Sequence, residues 1–318
     1  MQIVQNQPQQ PQVVAAPVMM VQPVQVMPIG APGQPVMMQQ VAPHQMHMPQ
    51  LGDDYKTVLA GRSGLTLKQT MKGSCCDAKN EWTGHAFHPS SPGESGPEIF
   101  FIDESASCFE RCCLSHFMPA YRPTSYDMWC GSWSGMLQKR PSQSEVVLRH
   151  KKECTCPTAC WIAEGDGGPL RIPCCCFLPY LDTLTNDGTK LGRTQYECDM
   201  YLCVPKYSVR DGQGMIWYRI RPDTCCGGCC VLCECGGKKG RCLAVPFYIR
   251  HPKSMDKLPG DEPGSIAQIN NLWSGIKECC NRQNYAVRFP QNASPEQKAT
   301  LVGSVFLIDM VNFEQEQT

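Results

Sequence analysis

The first 52 residues contain no Lys, Arg, Asp or Glu, although the 318-residue chain carries 29 basic and 29 acidic side chains. That stretch holds thirteen Gln, nine Pro and half of the sixteen Met. Proline every few residues forbids helix and sheet, and nothing there offsets the entropy of ordering. Residues 1–52 are therefore expected to be a disordered tail of polyproline-II character. The chain as a whole lacks an excess of charge of either sign. A net charge of zero argues against a general polyanion binder, so no nucleic-acid partner is expected. A basic n-region followed by an uninterrupted apolar run is also lacking, so no signal peptide is read and a reducing, cytosolic setting is expected. The sequence has no GxSxG elbow, HExxH, kinase signature set or dinucleotide fingerprint, and Gly236–Gly240 lacks the spacing of a phosphate loop. No conventional enzyme is expected.

What the chain does have is one long helical stretch, about residues 295–314. Ser294 is placed as N-cap, Pro295 as first helical residue and Gln297 as its capping-box partner. From Ala299 to Phe313 every face is apolar except at Thr300, Ser304, Asp309 and Asn312. A helix of that kind spans a membrane or sits in a core. Fifteen residues reach only about 22 Å against a hydrocarbon layer of roughly 30 Å, and Asp309 makes a span costlier. Leu301, Val305, Phe306, Leu307, Ile308 and Asp309 are thus expected at the centre of a core, Asp309 as a paired carboxylate with a functional acid as the alternative.

Short alternating or apolar runs fill the chain after Asp53: Thr57–Thr70, Glu98–Ile102, Glu145–Arg149, Tyr196–Val209, Met215–Arg221, Leu243–Arg250, Ser265–Leu272 and Tyr285–Phe289. Asn186-Asp187-Gly188 and Asp211-Gly212 read as hairpin turns. In the run from Ile216 to Arg221, a period of two puts Ile216, Tyr218 and Ile220 on one face, with Arg219 and Arg221 on the other. Many short strands and one terminal helix fit a barrel around a helix better than a parallel sheet.

Twenty-three cysteines are the loudest chemical signal. Cys226-x-x-Cys229 and Cys230-x-x-Cys233 have the spacing of zinc ligands, so zinc is one cofactor reading for Cys225–Cys235. Against it, adjacent cysteines on a strand point to opposite faces, and no second half-site follows at finger spacing. His85 and His88 are expected in a loop because Gly84 and Pro89 flank them. Arg149, Lys151 and Lys152, and then Lys238, Lys239 and Arg241, sit near cysteines, where each adds about 1 kcal/mol beside an anionic leaflet.

Residues Ile266–Pro290 and the terminal helix resemble the C-terminal end of the phospholipid scramblase family. The shared features are the Ile-x-x-Ile strand, Trp273-Ser274-Gly275, Val287–Pro290 and Phe306-Leu307-Ile308-Asp309 followed by Phe313-Glu314. A looser correspondence runs back to about Ile99. The resemblance implies a tubby-like fold: a closed antiparallel barrel of about twelve strands around one hydrophobic helix, here over residues 53–318. It also implies bidirectional, ATP-independent phospholipid redistribution at the cytoplasmic face of a membrane, the plasma membrane above all. Cys174, Cys175 and Cys176 fall where that family carries acylated cysteines, and several acyl chains anchor stably where one does not. The alternatives are a palmitoylated adaptor or lipid-binding module without transport, and a soluble cysteine-rich zinc protein. Pro-rich leaders in the family dock SH3 or WW modules; here no basic residue flanks a PxxP and no PPxY occurs, which leaves an unstructured spacer as the alternative. The family's calcium loop is acidic, whereas Cys279–Pro295 contains no Asp or Glu, so no calcium site is expected there. Tyr126–Arg140 has no counterpart in the resemblance and is expected to be an inserted loop.

Overall fold

In the computed structural model, twelve antiparallel strands close into a barrel around one C-terminal helix, as the resemblance implied. The structure describes residues 48–72, 79–87, 95–107, 122–132, 142–155, 159–165, 168–173, 177–197, 204–223, 246–254, 256–258, 264–268 and 284–312. The expected tail lies almost wholly outside them. A short helix α1 (Tyr55–Ala60) leads into β1 (Gly64–Lys72), β2 (Lys79–Phe87), β3 (Ser95–Glu104), β4 (Thr124–Cys130) and β5 (Leu148–Lys152). A separate two-stranded sheet, β6 (Ala159–Gly165) with β7 (Gly168–Pro173), intervenes. Then come β8 (Tyr180–Thr185), β9 (Lys190–Glu197), β10 (Lys206–Asp211), β11 (Ile216–Pro222), β12 (Pro246–Arg250), β13 (Ser265–Gln268), β14 (Asn284–Arg288) and the helix α2 (Pro295–Asn312). Around the barrel the order is β1-β14-β13-β12-β11-β10-β9-β8-β5-β4-β3-β2, with β2 pairing back onto β1. Closure removes every edge of the twelve-stranded sheet.

Several local expectations need correction. Thr57–Ala60 is helical, because Asp54 caps that turn by accepting the Lys56 N–H at 3.3 Å, and the strand starts only at Gly64. Glu145–Arg149 divides into a 3-10 turn, Gln143–Glu145, and the start of β5. The turn forms because Ser142 and Glu145 close a capping box on each other. Tyr196–Val209 contains the end of β9 and the start of β10 rather than one strand. Tyr126–Cys130, expected in an inserted loop, is most of β4, with Tyr126 and Met128 in the core; residues 133–140 lie outside the described set. His85 lies in β2, not in a loop. In the β10–β11 turn the residue with positive φ is Gly214, at 94°, two positions beyond Gly212.

The helix is where the sequence placed it. Gln297 N–H donates to Ser294 Oγ at 3.3 Å and Gln297 Oε1 accepts the Ser294 N–H at 2.9 Å, completing the capping box. Every residue from Lys298 to Asn312 is buried. Phe306 lies at the centre, stacked on Tyr126 at 4.6 Å and meeting Trp82 edge-on at 5.6 Å. The strands supply the facing layer: Leu65, Leu67, Ile102, Leu148, Val209, Ile220, Phe247, Ile249 and Val287 are fully buried. Lys298 ties the two helices together, its Nζ donating to the carbonyls of Leu59, Ala60 and Arg62 at 2.9 Å each. Leu59 and Ala60 close α1 and Arg62 follows it, so one buried ammonium helps cap the helix and its exit, while the Leu59 carbonyl also accepts the Arg62 N–H at 3.3 Å.

Candidate functional site

Antiparallel pairing around a closed ring gives the barrel two ends. Pairs such as Lys72 with Lys79, Glu104 with Tyr126, Thr124 with Lys152, Glu197 with Lys206, Pro246 with Ala267 and Gln268 with Tyr285 define one of them. The connections at that end are β1–β2, β3–β4, β5 to β8 through the small sheet, β9–β10, β11–β12 and β13–β14. Every one of the 23 cysteines except Cys130 belongs to one of these six connections. Cys130 closes β4 at the opposite end, where burial and then Asp53 and Asp54 push its thiol up to about 12, keeping it protonated.

Cys174, Cys175 and Cys176 lie outside the described residues, between Pro173 of β7 and Phe177. Phe177 is 82% exposed, one of three large apolar side chains exposed among the described residues, with Met48 and Met215. The outer wall beside it carries more cations than anions. Asp182 receives both Lys190 at 2.8 Å and Arg193 at 2.6 Å, and Glu197 receives Arg219 and, at 3.7 Å, Arg210. Burial works against the charge on Asp182, yet Arg193 and Lys190 hold its carboxyl below the usual range. Arg193 also lies 3.8 Å from the Tyr180 ring centre, at the first residue of β8. The basic cluster expected at residues 149–152 is largely committed. Arg149 pairs with Asp127 at 2.6 Å, Lys151 pairs with Glu153 at 2.8 Å, and Lys152 is buried and donates to the Arg122 carbonyl.

Inside the barrel the expected core residues Leu301, Val305, Phe306, Leu307 and Ile308 are all fully buried. Asp309 is the paired carboxylate of the first reading: it accepts the Tyr285 hydroxyl at 2.6 Å. Three other polar positions of α2 are also pinned to strands, whereas Thr300 donates to the Glu296 carbonyl of its own helix. Ser304 bonds Thr194 at 2.7 Å, Asn312 donates to Tyr207 at 2.6 Å, and Tyr218 donates to Gln297 at 3.0 Å. Burial raises the Tyr207 pKa well above its ordinary value, so the phenol stays neutral.

The sequence reading missed His150. It is fully buried on β5, its Nδ1 shares a hydrogen bond with Thr183 Oγ1 at 3.1 Å, and its ring faces Phe306 at 5.4 Å. Burial alone lowers its pKa to about 3. Gly303 makes room for it: a Cβ there would stand 2.8 Å from His150 Nδ1 and 2.8 Å from Thr183 Oγ1. The period of two through Leu148, His150 and Lys152, all buried, was the available signal.

For the calcium question, residues 279–283 lie outside the described set. In the rest of that loop, Tyr285 is bonded to Asp309 and Ser294 caps α2. Cys225–Cys235, the zinc reading, likewise lies outside it. Among the described residues no group of three or more His, Cys, Asp or Glu is arranged to hold a metal. No helix among them is long and apolar enough to cross a membrane.

Residues 256–315 match the family model for scramblases. Bovine phospholipid scramblase 2 is 28% identical over 151 residues, 46% of this chain and 44% of that protein. Human phospholipid scramblase 1 is 23% identical over 221 residues, 69% of this chain and 54% of that protein. Human phospholipid scramblase family member 5 is 24% identical over 221 residues, 69% and 63% respectively. The chain thus spans about half the length of the curated relatives it matches. No solved structure gives a significant match.

Proposed function

With its place in the scramblase family supported by the family model and the curated relatives, we propose that the chain acts in bidirectional, ATP-independent phospholipid redistribution while attached to the cytoplasmic face of a membrane. Attachment is through acyl chains on Cys174, Cys175 and Cys176, with the cysteine-bearing end of the barrel turned towards the bilayer. The observation that carries this orientation is the gathering of cysteine-bearing connections at one end of the ring. Exposed Phe177, next to the triplet, supports it through apolar insertion, and the net positive charge of the β8–β11 wall, with Arg193 against Tyr180 at the start of β8, adds attraction to anionic lipid. The plasma membrane, rich in anionic lipid on its inner leaflet, suits such a surface.

A specific observation favours a second reading. Lipid transfer needs a polar path for the headgroup through the hydrocarbon layer. Here the only long helix among the described residues is packed inside the barrel. A lipid-anchored adaptor without transport activity fits that as well. Two experiments separate the possibilities. Replacing Cys174, Cys175 and Cys176 together with Ser should move the protein from the membrane fraction to cytosol or nucleus; retention of the triple variant argues against acylation there. Vesicles carrying the acylated protein should exchange a fluorescent phospholipid between leaflets faster than empty vesicles. Bound protein without acceleration leaves the adaptor.

A further inference from the structure

The opposite end of the barrel carries a different surface. An open groove of about 550 Å3 is lined by residues 52–55, 144–147 and 185–187, drawn from the approach to α1, the 3-10 turn before β5 and the β8–β9 turn. Asn186 Nδ2 donates to the Ser144 carbonyl at 3.2 Å and ties two of these segments together. Among the described residues the lining includes Asp53, Asp54, Glu145 and Asp187, and no Lys, Arg or His. All four carboxylates hold local backbone through neutral donors, Asp53 by accepting the Gln50 N–H at 2.8 Å. Asp54 accepts the Lys56 N–H, Glu145 the Ser142 N–H at 2.7 Å, and Asp187 the Thr189 N–H at 3.2 Å with both threonine hydroxyls of its turn. Such bonds fix the carboxylates in place without neutralising them. The nearest lysine in sequence, Lys56, is turned to Glu296 at 3.5 Å.

The second observation is Tyr55. It is one of the lining residues and 3% exposed, yet among the described residues its hydroxyl finds no hydrogen-bond partner. A buried hydroxyl left unpaired costs free energy, and such groups call for a ligand or a water. Burial, followed by the negative charges of Glu296, Asp54 and Asp187, raises its pKa to about 12. The phenol is therefore neutral, beside a fixed anionic rim, and able to accept an N–H. We propose that this groove binds the cationic side chain of a lysine- or arginine-bearing segment of a partner protein. The rim carboxylates pair with the cation and the Tyr55 oxygen accepts one of its N–H donors. A guanidinium or ammonium suits this set, because it supplies several N–H donors and demands neither the number nor the geometry of oxygens that a metal does. The groove holds such a side chain together with some of its flanking backbone.

The test uses the full chain and a fluorescein-labelled hexa-arginine peptide, followed by anisotropy at low and raised salt. Three variants keep the local bonds while removing charge or the hydroxyl. Asp54→Asn preserves a good N-cap, Glu145→Gln preserves the capping box, and Tyr55→Phe deletes only an unpaired oxygen. The double variant Asp54→Asn/Glu145→Gln should weaken binding about tenfold, and Tyr55→Phe about threefold with undiminished thermal stability. Glu153→Gln, an exposed carboxylate at the cysteine-bearing end, should change nothing. Equal weakening by Glu153→Gln reduces the binding to general charge attraction and overturns the proposal. So does calcium binding at micromolar concentration that is abolished by the same double variant while the peptide fails to bind.

Discussion

His150 makes the stability of this barrel depend on pH in a way that can be isolated. The imidazole is fully buried against Phe306 and Thr183, and burial alone lowers its pKa from 6.5 to about 3. The unfolded chain takes up a proton on this residue as pH falls below 6.5, whereas the folded protein does not. Stability from the neutral imidazole is thus fully present above 6.5 and is lost progressively as pH falls towards 3. At about 1.4 kcal/mol per pH unit, the loss between pH 6.5 and pH 5 is about 2 kcal/mol. Carboxylates also titrate near the acid end, so the comparison is with His150→Asn, which keeps a polar group for Thr183 but has nothing to protonate. Urea unfolding of both proteins at pH 7 and pH 5 gives the answer. The wild type should lose about 2 kcal/mol more than the variant over that interval. Equal losses in both proteins refute the reasoning, because they mean that the imidazole is protonated in the folded state or reached by water.

Further expectations follow from the same core. Gly303→Ala places a methyl 2.8 Å from His150 Nδ1 and 2.8 Å from Thr183 Oγ1, and should cost about 1–3 kcal/mol in urea unfolding by overpacking. Lys298→Met removes the shared donor of the Leu59, Ala60 and Arg62 carbonyls, of which Leu59 alone keeps the Arg62 N–H, and should cost about 2–3 kcal/mol, with amide exchange rising first in α1. Leu307→Asp puts an unpaired charge at a fully buried position, and should abolish the cooperative thermal transition. If that variant stays folded and merely leaves the membrane, the helix is an anchor and not a core.

How much of this was legible in the sequence depended on how local each signal was. The terminal helix announced itself because its cap, its first proline and its uniformly apolar faces are contiguous, and the length argument against a membrane span agrees with its burial. Asp309 was read as paired, though its partner Tyr285 was not named, since pairing across 24 residues leaves no pattern. Strand β4 was missed because Tyr126–Arg140 has no counterpart in the resemblance and so reads as one insertion, although Tyr126 and Met128 are core residues two apart. The helical turn at Tyr55–Ala60 was missed because its cap and its lysine clamp are tertiary or single-residue features. The groove draws on three segments far apart in the chain, none of which carries a motif. The cysteines, conspicuous as residues, made topological sense only once strand order assigned their connections to one end.

Lipid movement by the attached protein is the central expectation. The direct measurement is dithionite quenching of a fluorescent phosphatidylcholine in vesicles carrying the acylated full chain, with calcium chelated throughout. Cys279–Pro295 offers no carboxylate, so activity is expected to persist without the ion. The predicted result is quenching that proceeds past the outer leaflet at a rate above that of empty vesicles, and a return to the empty-vesicle rate with the Cys174/Cys175/Cys176 triple variant. Quenching that stops at the outer leaflet, with the protein demonstrably bound, contradicts the claim of redistribution.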